Sequence, residues 1–119
     1  MTLSRADHFA EAWITSWNAH DLDAILSHYD DEVTLTSPNV IRRLGYENGT
    51  VMGKAALRPY FELALASQPK LRFRLMRLYH GVNSLCLEYE RHDGRRGAEM
   101  MEFSADGQVT RVVAHYAAF

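Results

Sequence analysis

Apolar positions recur along the chain at two different spacings, and the spacing changes near residue 70. Before that point they recur every three or four residues, which is typical of amphipathic helices. From Leu71 onward apolar and polar residues alternate, which is typical of strands. Helices followed by a run of strands predict an α+β fold with a mostly antiparallel sheet.

The pattern predicts three helices in the first part of the chain and most of the strands in the second. The first helix places Phe9, Trp13 and Trp17 on one apolar stripe. The predicted elements are helices at about 4–18, 22–29 and 54–66, a loop or small hairpin at 38–53, and strands at 33–37, 71–75, 82–91, 96–104 and 109–117.

Two Asp-Gly pairs, at 93–94 and 106–107, are predicted to form two-residue hairpin turns. Turns of that length place Glu88 opposite Glu99 and Glu102 opposite Arg111, and the second pair joins opposite charges across strands. Both faces of the sheet are then substantially apolar. We therefore expect helices to cover one face and a second subunit to cover the other, as a homodimer. The alternative is that the second face carries tolerated surface hydrophobes.

The overall composition argues against several classes of function. The 119 residues predict one domain over residues 1–119. A net charge of −2 gives no electrostatic case for nucleic acid or an anionic membrane, and no apolar run approaches the length of a membrane span. Without a signal core at the N-terminus, a cytoplasmic setting is expected. Cys86 is the single cysteine and the six histidines lack metal-ligand spacing, so no metal site is expected. No cofactor is expected for the acid–base chemistry considered below.

Three phrases carry a resemblance to a known family: "WNAHDLDAILSHYDDEVTLTSP", "GKAALRPYFELAL" and "AEMMEFSADGQVTRVVAHY". Together they resemble the SnoaL-like branch of the NTF2-like (cystatin-like) superfamily over nearly the whole chain. The resemblance implies a cone in which three N-terminal helices pack on a curved sheet around an apolar pocket. Such families include ketosteroid isomerases, polyketide cyclases, dehydratases and non-catalytic binding domains, so the fold alone does not define the function.

The ketosteroid isomerases offer the most useful comparison, because they pair an aspartate base with an oxyanion hole of a tyrosine and a neutral carboxylic acid, a case that is well described. The resemblance places Ser37 at the base position, Trp13 at the oxyanion tyrosine and Glu99 at the oxyanion acid. It places Tyr29 and Phe61 at supporting positions. Serine cannot remove a carbon-bound proton without a partner base, so the steroid-isomerase machinery is not intact.

Glu99 is therefore the leading candidate for chemistry. Among apolar side chains it would be desolvated, which raises the pKa of a carboxyl group. With Glu88 opposite, the two carboxylates would titrate as a coupled pair. The alternative places both glutamates at the rim, paired with Arg91, Arg95 or Arg96.

The predicted site binds a small apolar or amphipathic molecule. Its residues are Glu99 and Ser37 as catalytic candidates, and Trp13, Tyr29, Phe61, Met101, Val112 and Tyr116 as ligand contacts. One hypothesis is a cofactor-free isomerase, cyclase or dehydratase. The other is a non-catalytic binding domain or dimeric scaffold. Arg42 and Arg43, with arginines on the strand after residue 70, either favour an anionic ligand or form a solvated surface.

Overall fold

A computed structural model describes residues 1–118 of the chain. The helices are α1 (Leu3–Asn18), α2 (Leu22–Leu26), α3 (Pro38–Leu44) and α4 (Lys54–Ser67); the strands are β1 (Tyr29–Thr36), β2 (Thr50–Met52), β3 (Phe73–His80), β4 (Ser84–Arg91), β5 (Arg96–Phe103) and β6 (Val109–Tyr116). No helix in this part of the chain is long and apolar enough to span a membrane.

The six strands form one sheet in the order β2-β1-β6-β5-β4-β3. β1 pairs with β6 in parallel, and every other neighbouring pair is antiparallel. One face of this curved sheet, here called the inner face, packs against the helices through a single apolar core. The predicted α+β fold, with helices packed on a curved and mostly antiparallel sheet, is confirmed.

A fourth helix, α3, occupies residues that were predicted to form a loop or small hairpin. The Ser37 side chain caps its N-terminus by accepting a hydrogen bond from the Asn39 N–H at 3.1 Å, and Pro38 takes the first helical position. Gly45 ends the helix in the left-handed conformation, with φ of 73°. A Ser-Pro start and a glycine stop are helix signals, so this helix was readable from the sequence.

The turn between β4 and β5 is one residue longer than predicted. The Arg91 N–H donates to the Arg95 carbonyl at 2.7 Å, and this bond encloses three loop residues. Gly94 has a φ of 84°, the left-handed conformation that closes a three-residue hairpin loop. An Asp-Gly pair fits both loop lengths, so the sequence alone did not distinguish them.

The longer turn shifts β4 by one position against β5. Leu87 lies opposite Glu99, and Glu88 lies opposite Ala98. The prediction that Glu88 faces Glu99 as a coupled pair is therefore wrong. A one-residue shift exchanges the faces of a strand, so Glu88 lies on the outer face and Tyr89 on the inner face.

The register between β5 and β6 agrees with the prediction at Glu102 and Arg111, which lie opposite each other and form an ion pair at 3.2 Å. The turn itself again encloses three residues, because the Ser104 N–H donates to the Gln108 carbonyl at 2.8 Å. An irregularity next to Phe103 restores the predicted pairing.

The end of α1 is tied to the start of β3. The Asn18 amide donates to the Phe73 carbonyl at 2.9 Å and accepts from the Phe73 N–H at 2.7 Å. Asp21 then caps α2 by accepting from the Ala24 N–H at 3.1 Å. These bonds fix Phe73 against the aromatic residues of α1.

Candidate functional site

The Glu99 side chain is the one buried carboxylate among residues 1–118. It points from β5 into the core and is 8% exposed. The Tyr89 hydroxyl, on the neighbouring strand, donates to its Oε2 at 3.0 Å. Burial raises the pKa of Glu99 to about 7, and the hydrogen bond from Tyr89 opposes that rise. The acid is therefore poised between its two protonation states near neutral pH.

Three tyrosine hydroxyls surround this acid and remain protonated at neutral pH. Burial raises the pKa of Tyr89, and the nearby charge of Glu99 raises it further. The same two causes, in the same order, raise the pKa of Tyr116. Burial raises the pKa of Tyr60 to about 12. Each phenol is thus a hydrogen-bond donor rather than a base.

An aromatic layer lies beneath the acid. The Trp13 Nε1–H donates to the Tyr29 hydroxyl at 2.9 Å, and both residues are fully buried. Burial first, and then the charge of Glu99, raises the pKa of Tyr29. Phe61 packs against the Tyr29 ring with centroids 5.5 Å apart. This layer closes the interior of the cone below Glu99.

One polar group in this layer is unsatisfied. The Trp17 indole faces the Tyr29 hydroxyl and acts to lower its pKa. Its buried Nε1, however, makes no hydrogen bond to any residue from 1 to 118. A buried donor without an acceptor costs free energy.

An interior cavity of about 70 Å³ opens beside Glu99. Its walls are Trp17, Asn39, Arg43, Tyr60, Ala64, Gln68, Leu71, Phe73, Tyr89, Arg91, Glu99 and Tyr116. Next to it lies a larger cavity of about 460 Å³, here called the mouth. The mouth is lined by Pro38, Asn39, Arg42, Arg91, Arg95, Arg96, Tyr116, Ala117 and Ala118. Asn39, Arg91 and Tyr116 line both spaces, so the mouth leads to the acid.

Larger depressions lie elsewhere on the surface. A groove of about 530 Å³ between α1 and α2 is lined mainly by small side chains, with His8 and His28 among them. Burial lowers the pKa of His28, so its imidazole is neutral at pH 7. We place the candidate site at the interior cavity rather than in this groove, because the cavity contains the buried carboxyl group and its donors.

The structure places the predicted site residues in three groups. Glu99 and Tyr116 line the interior cavity, and Ser37 Oγ lies 3.5 Å from the Tyr116 hydroxyl. The other five are buried in the core without lining the cavity: Trp13, Tyr29, Phe61, Met101 and Val112.

Sequence reasoning missed Tyr89 and Arg91 as cavity residues. The correct β4 register would have identified Tyr89 and Arg91, because both share the inner face with Glu99. No group of three or more histidine, cysteine or acidic side chains within residues 1–118 is arranged to hold a metal ion.

A mostly antiparallel sheet that curves around helices, with a buried acid beside a cavity, has the architecture of the NTF2-like (cystatin-like) fold. The SnoaL-like domain family matches residues 10–116, and the chain belongs to that family. A SnoaL-like protein of unknown function from Burkholderia thailandensis is 38% identical, with 99% of each chain covered and a TM-score of 0.94.

More distant solved structures share the fold. A cystatin-like protein from Methylobium petroleophilum is 17% identical over 100% of this chain and 80% of its own, with a TM-score of 0.78. A candidate isomerase of the SnoaL-like family from Agrobacterium tumefaciens is 15% identical over 98% of this chain and 100% of its own, with a TM-score of 0.77. None of the curated proteins compared with this chain matches it.

Proposed function

We propose that this protein binds a small amphipathic molecule at the cone's open end and transfers a proton on it without a cofactor. The reaction is of the isomerase, cyclase or dehydratase kind, and Glu99 is the acid–base group. The observation that carries this proposal is the buried Glu99 carboxyl, with its pKa raised to about 7 beside a cavity lined by phenols. A group whose pKa lies near the working pH both accepts and returns a proton efficiently.

In this mechanism the ionised Glu99 removes a proton from a carbon next to a substrate carbonyl. The electron pair of the broken C–H bond forms an enolate, and a hydroxyl such as that of Tyr116 donates a hydrogen bond to the enolate oxygen. The protonated Glu99 then returns the proton to a different carbon.

Ser37 supports this site without acting as a base. Its Oγ accepts from the Asn39 N–H and lies 3.5 Å from the Tyr116 hydroxyl, so it caps α3 and positions a phenol. Within residues 1–118 its hydroxyl has no carboxylate or imidazole partner. The reaction therefore differs from steroid isomerisation in its base, because Glu99 takes that role in place of a residue at Ser37.

The size of the interior cavity limits what enters it. A water molecule occupies about 30 Å³ of liquid, whereas pockets that enclose a drug-sized ligand measure roughly 300–1,000 Å³. A cavity of about 70 Å³ admits the reacting end of a molecule and no more. The remainder of the substrate lies in the mouth.

The proposal is tested by titrating the carboxyl carbons of labelled protein by NMR and by following deuterium uptake from solvent into small enolisable ketones. We expect a Glu99 pKa near 7, and uptake that falls at least about 100-fold in Glu99→Gln. Glu102→Gln, on the outer face of the same strand, is the matched control and retains the uptake. An ordinary Glu99 pKa, or equal uptake in Glu99→Gln, contradicts the proposal.

A second candidate is a non-catalytic binding domain or dimeric scaffold, and the outer face of the sheet favours it. Met52 and Tyr79 are 72% and 57% exposed there, and Met100 and Val113 are partly exposed. Pairing of two outer faces would cover this apolar surface and form a homodimer. Sedimentation velocity at micromolar concentration tests the dimer, and a monomer contradicts it. A dimer that binds ligands but catalyses no deuterium uptake favours this second candidate.

A further inference from the structure

Four arginines surround the mouth: Arg42, Arg91, Arg95 and Arg96, here called the arginine rim. Arg42 lies on α3, and the other three flank the turn between β4 and β5. Two separate parts of the chain therefore bring guanidinium groups to one cavity, although the whole protein carries a net charge of −2.

The carboxylates near the rim do not balance its charge. Asp93 is shared between Arg91 at 3.7 Å and Arg95 at 3.9 Å. Glu90 is shared between Arg96 at 3.6 Å and Arg74, which lies outside the rim, at 3.1 Å. Two carboxylates therefore face four guanidinium groups.

Arg42 has a neutral partner, because it donates to the Asn39 amide oxygen at 2.7 Å. Within residues 1–118 the mouth consequently has an excess of positive charge. Such an excess in a concave surface concentrates anions.

Arg91 links the rim to the acid, because it lines both the mouth and the interior cavity. Its side chain is only 14% exposed, and it donates to the Gln68 amide oxygen. Its buried Nε, however, makes no hydrogen bond to any residue from 1 to 118. A buried guanidinium N–H without an acceptor is costly, and a ligand oxygen at the mouth would satisfy it.

We propose that the substrate is an anion, with a carboxylate, sulfonate or phosphate group held by the arginine rim and a small reactive end that reaches Glu99. The second half of this statement rests on the proposed function, whereas anion binding at the rim does not. The cavity sizes agree with this division, because the mouth is several times larger than the interior cavity.

The test is an NMR titration of labelled protein with benzoate, benzenesulfonate and phenyl phosphate, and with benzamide as the neutral analogue. We expect at least one anion to bind and to shift the resonances of Asn39, Arg91 and Tyr116, while benzamide leaves them in place. The three anions distinguish a carboxylate from a sulfonate or phosphate substrate.

Single substitutions of the rim arginines test which of them hold the anion. Arg91→Gln should weaken binding of the anion roughly tenfold, and Arg42→Gln and Arg95→Gln about two- to fivefold. Arg77→Gln, an arginine on the outer face, is the matched control and leaves the affinity unchanged. Should Arg91→Gln fail to fold, the two exposed variants still decide the result.

Three results would overturn the inference: equal affinity for benzamide, equal weakening by Arg77→Gln, or no binding of any of the three anions. Glu99→Gln separates the two proposals, because it abolishes proton transfer but retains the anion. If an anion binds but no proton is transferred, the inference about the arginine rim stands and the proposed function is contradicted. If neutral ketones undergo proton transfer but no anion binds, the proposed function stands and the inference about the arginine rim is overturned.

Discussion

Glu99 and Glu102 lie three positions apart on β5, on opposite faces of the sheet. Glu102 is on the outer face, where its side chain is 47% exposed and pairs with Arg111 at 3.2 Å. Glu99 is on the inner face, 8% exposed, and its partner is the Tyr89 hydroxyl at 3.0 Å. Burial favours the neutral form of the Glu99 carboxyl group, although the hydrogen bond from Tyr89 opposes this effect. The same residue type thus contributes to surface charge on one face and to chemistry on the other.

The largest difference between the two glutamates is expected in the pH dependence of stability. The pKa of Glu99 is about 7 in the folded chain against an ordinary value of 4.5, and one unit of pKa difference is worth about 1.4 kcal/mol. The stability that the neutral acid contributes is fully present below pH 4.5 and is lost as the pH rises through 7. At pH 8 we expect Glu99→Gln to be more stable than the natural chain by about 3 kcal/mol. Urea unfolding from pH 4 to 8 measures this, and Glu102→Gln should retain the natural pH profile in that range.

A second comparison uses two tyrosines. Tyr29→Phe leaves the buried Trp13 N–H without its acceptor, which should lower the free energy of unfolding by about 2 kcal/mol. Tyr79→Phe, on the outer face, should change it by less than about 0.5 kcal/mol. Chemical denaturation of both variants tests this, and equal effects would show that the aromatic layer is no more sensitive than the surface.

Gly97 lies against the Tyr89 side chain, so a substitution at Gly97 would displace the hydrogen-bond partner of Glu99. A Cβ at this position would lie 2.8 Å from the ring and hydroxyl of Tyr89, so Gly97→Ala must displace that ring. We expect a loss of about 2 kcal/mol in stability and a higher Glu99 pKa, because the opposing hydrogen bond is weakened. Gly94→Ala has open space at its Cβ but a φ of 84°, so it should also destabilise the chain while leaving the Glu99 pKa unchanged.

Removing the hydrogen bond directly gives a smaller effect. Tyr89→Phe deletes the hydroxyl that favours the Glu99 carboxylate, so the Glu99 pKa should rise further, by about one unit. Titration of the labelled carboxyl carbon measures the change. A fall in the Glu99 pKa would mean that the hydroxyl stabilises the protonated acid instead.

The smallest effect belongs to the outer ion pair. Arg111→Gln removes a partner that is 56% exposed, so the stability should fall by less than about 1 kcal/mol, and less still in high salt. Unfolding in 0.05 M and 1 M salt checks this. A loss as large as that of Tyr29→Phe would contradict the contrast between the two faces.

Most of the fold was predictable because long periodic stretches dominate the chain. The stripe on α1 and the alternation from Leu71 onward identified helices and strands. The opposite charges of Glu102 and Arg111 supported the predicted β5–β6 register, which holds at that pair although the turn is one residue longer than predicted. Helix α3 was missed although Ser37, Pro38 and Gly45 are ordinary helix boundaries, because the segment is short and its other glycines indicate a loop.

The site was less predictable, because its composition depends on the exact register between β4 and β5. One extra loop residue before Gly94 decides whether Glu88 or Tyr89 shares a face with Glu99. Hydrophobic periodicity has no such resolution when both faces of a strand are apolar. The arginine rim was missed for a related reason, since Arg42 and Arg91 meet only once α3 is placed beside the β4–β5 turn.

The parallel pairing of β1 and β6 affects the order in which the protein folds. Thr34 pairs with Arg111, so this contact closes a long segment, whereas β3, β4, β5 and β6 are joined by short turns. Contacts that are distant along the chain form more slowly than local ones. We therefore expect the four-stranded meander to assemble first and the aromatic layer around Tyr29 to reach Glu99 late. Until then Glu99 is hydrated and ionised at neutral pH, so we expect the last stage of folding to be coupled to proton uptake as this acid becomes buried.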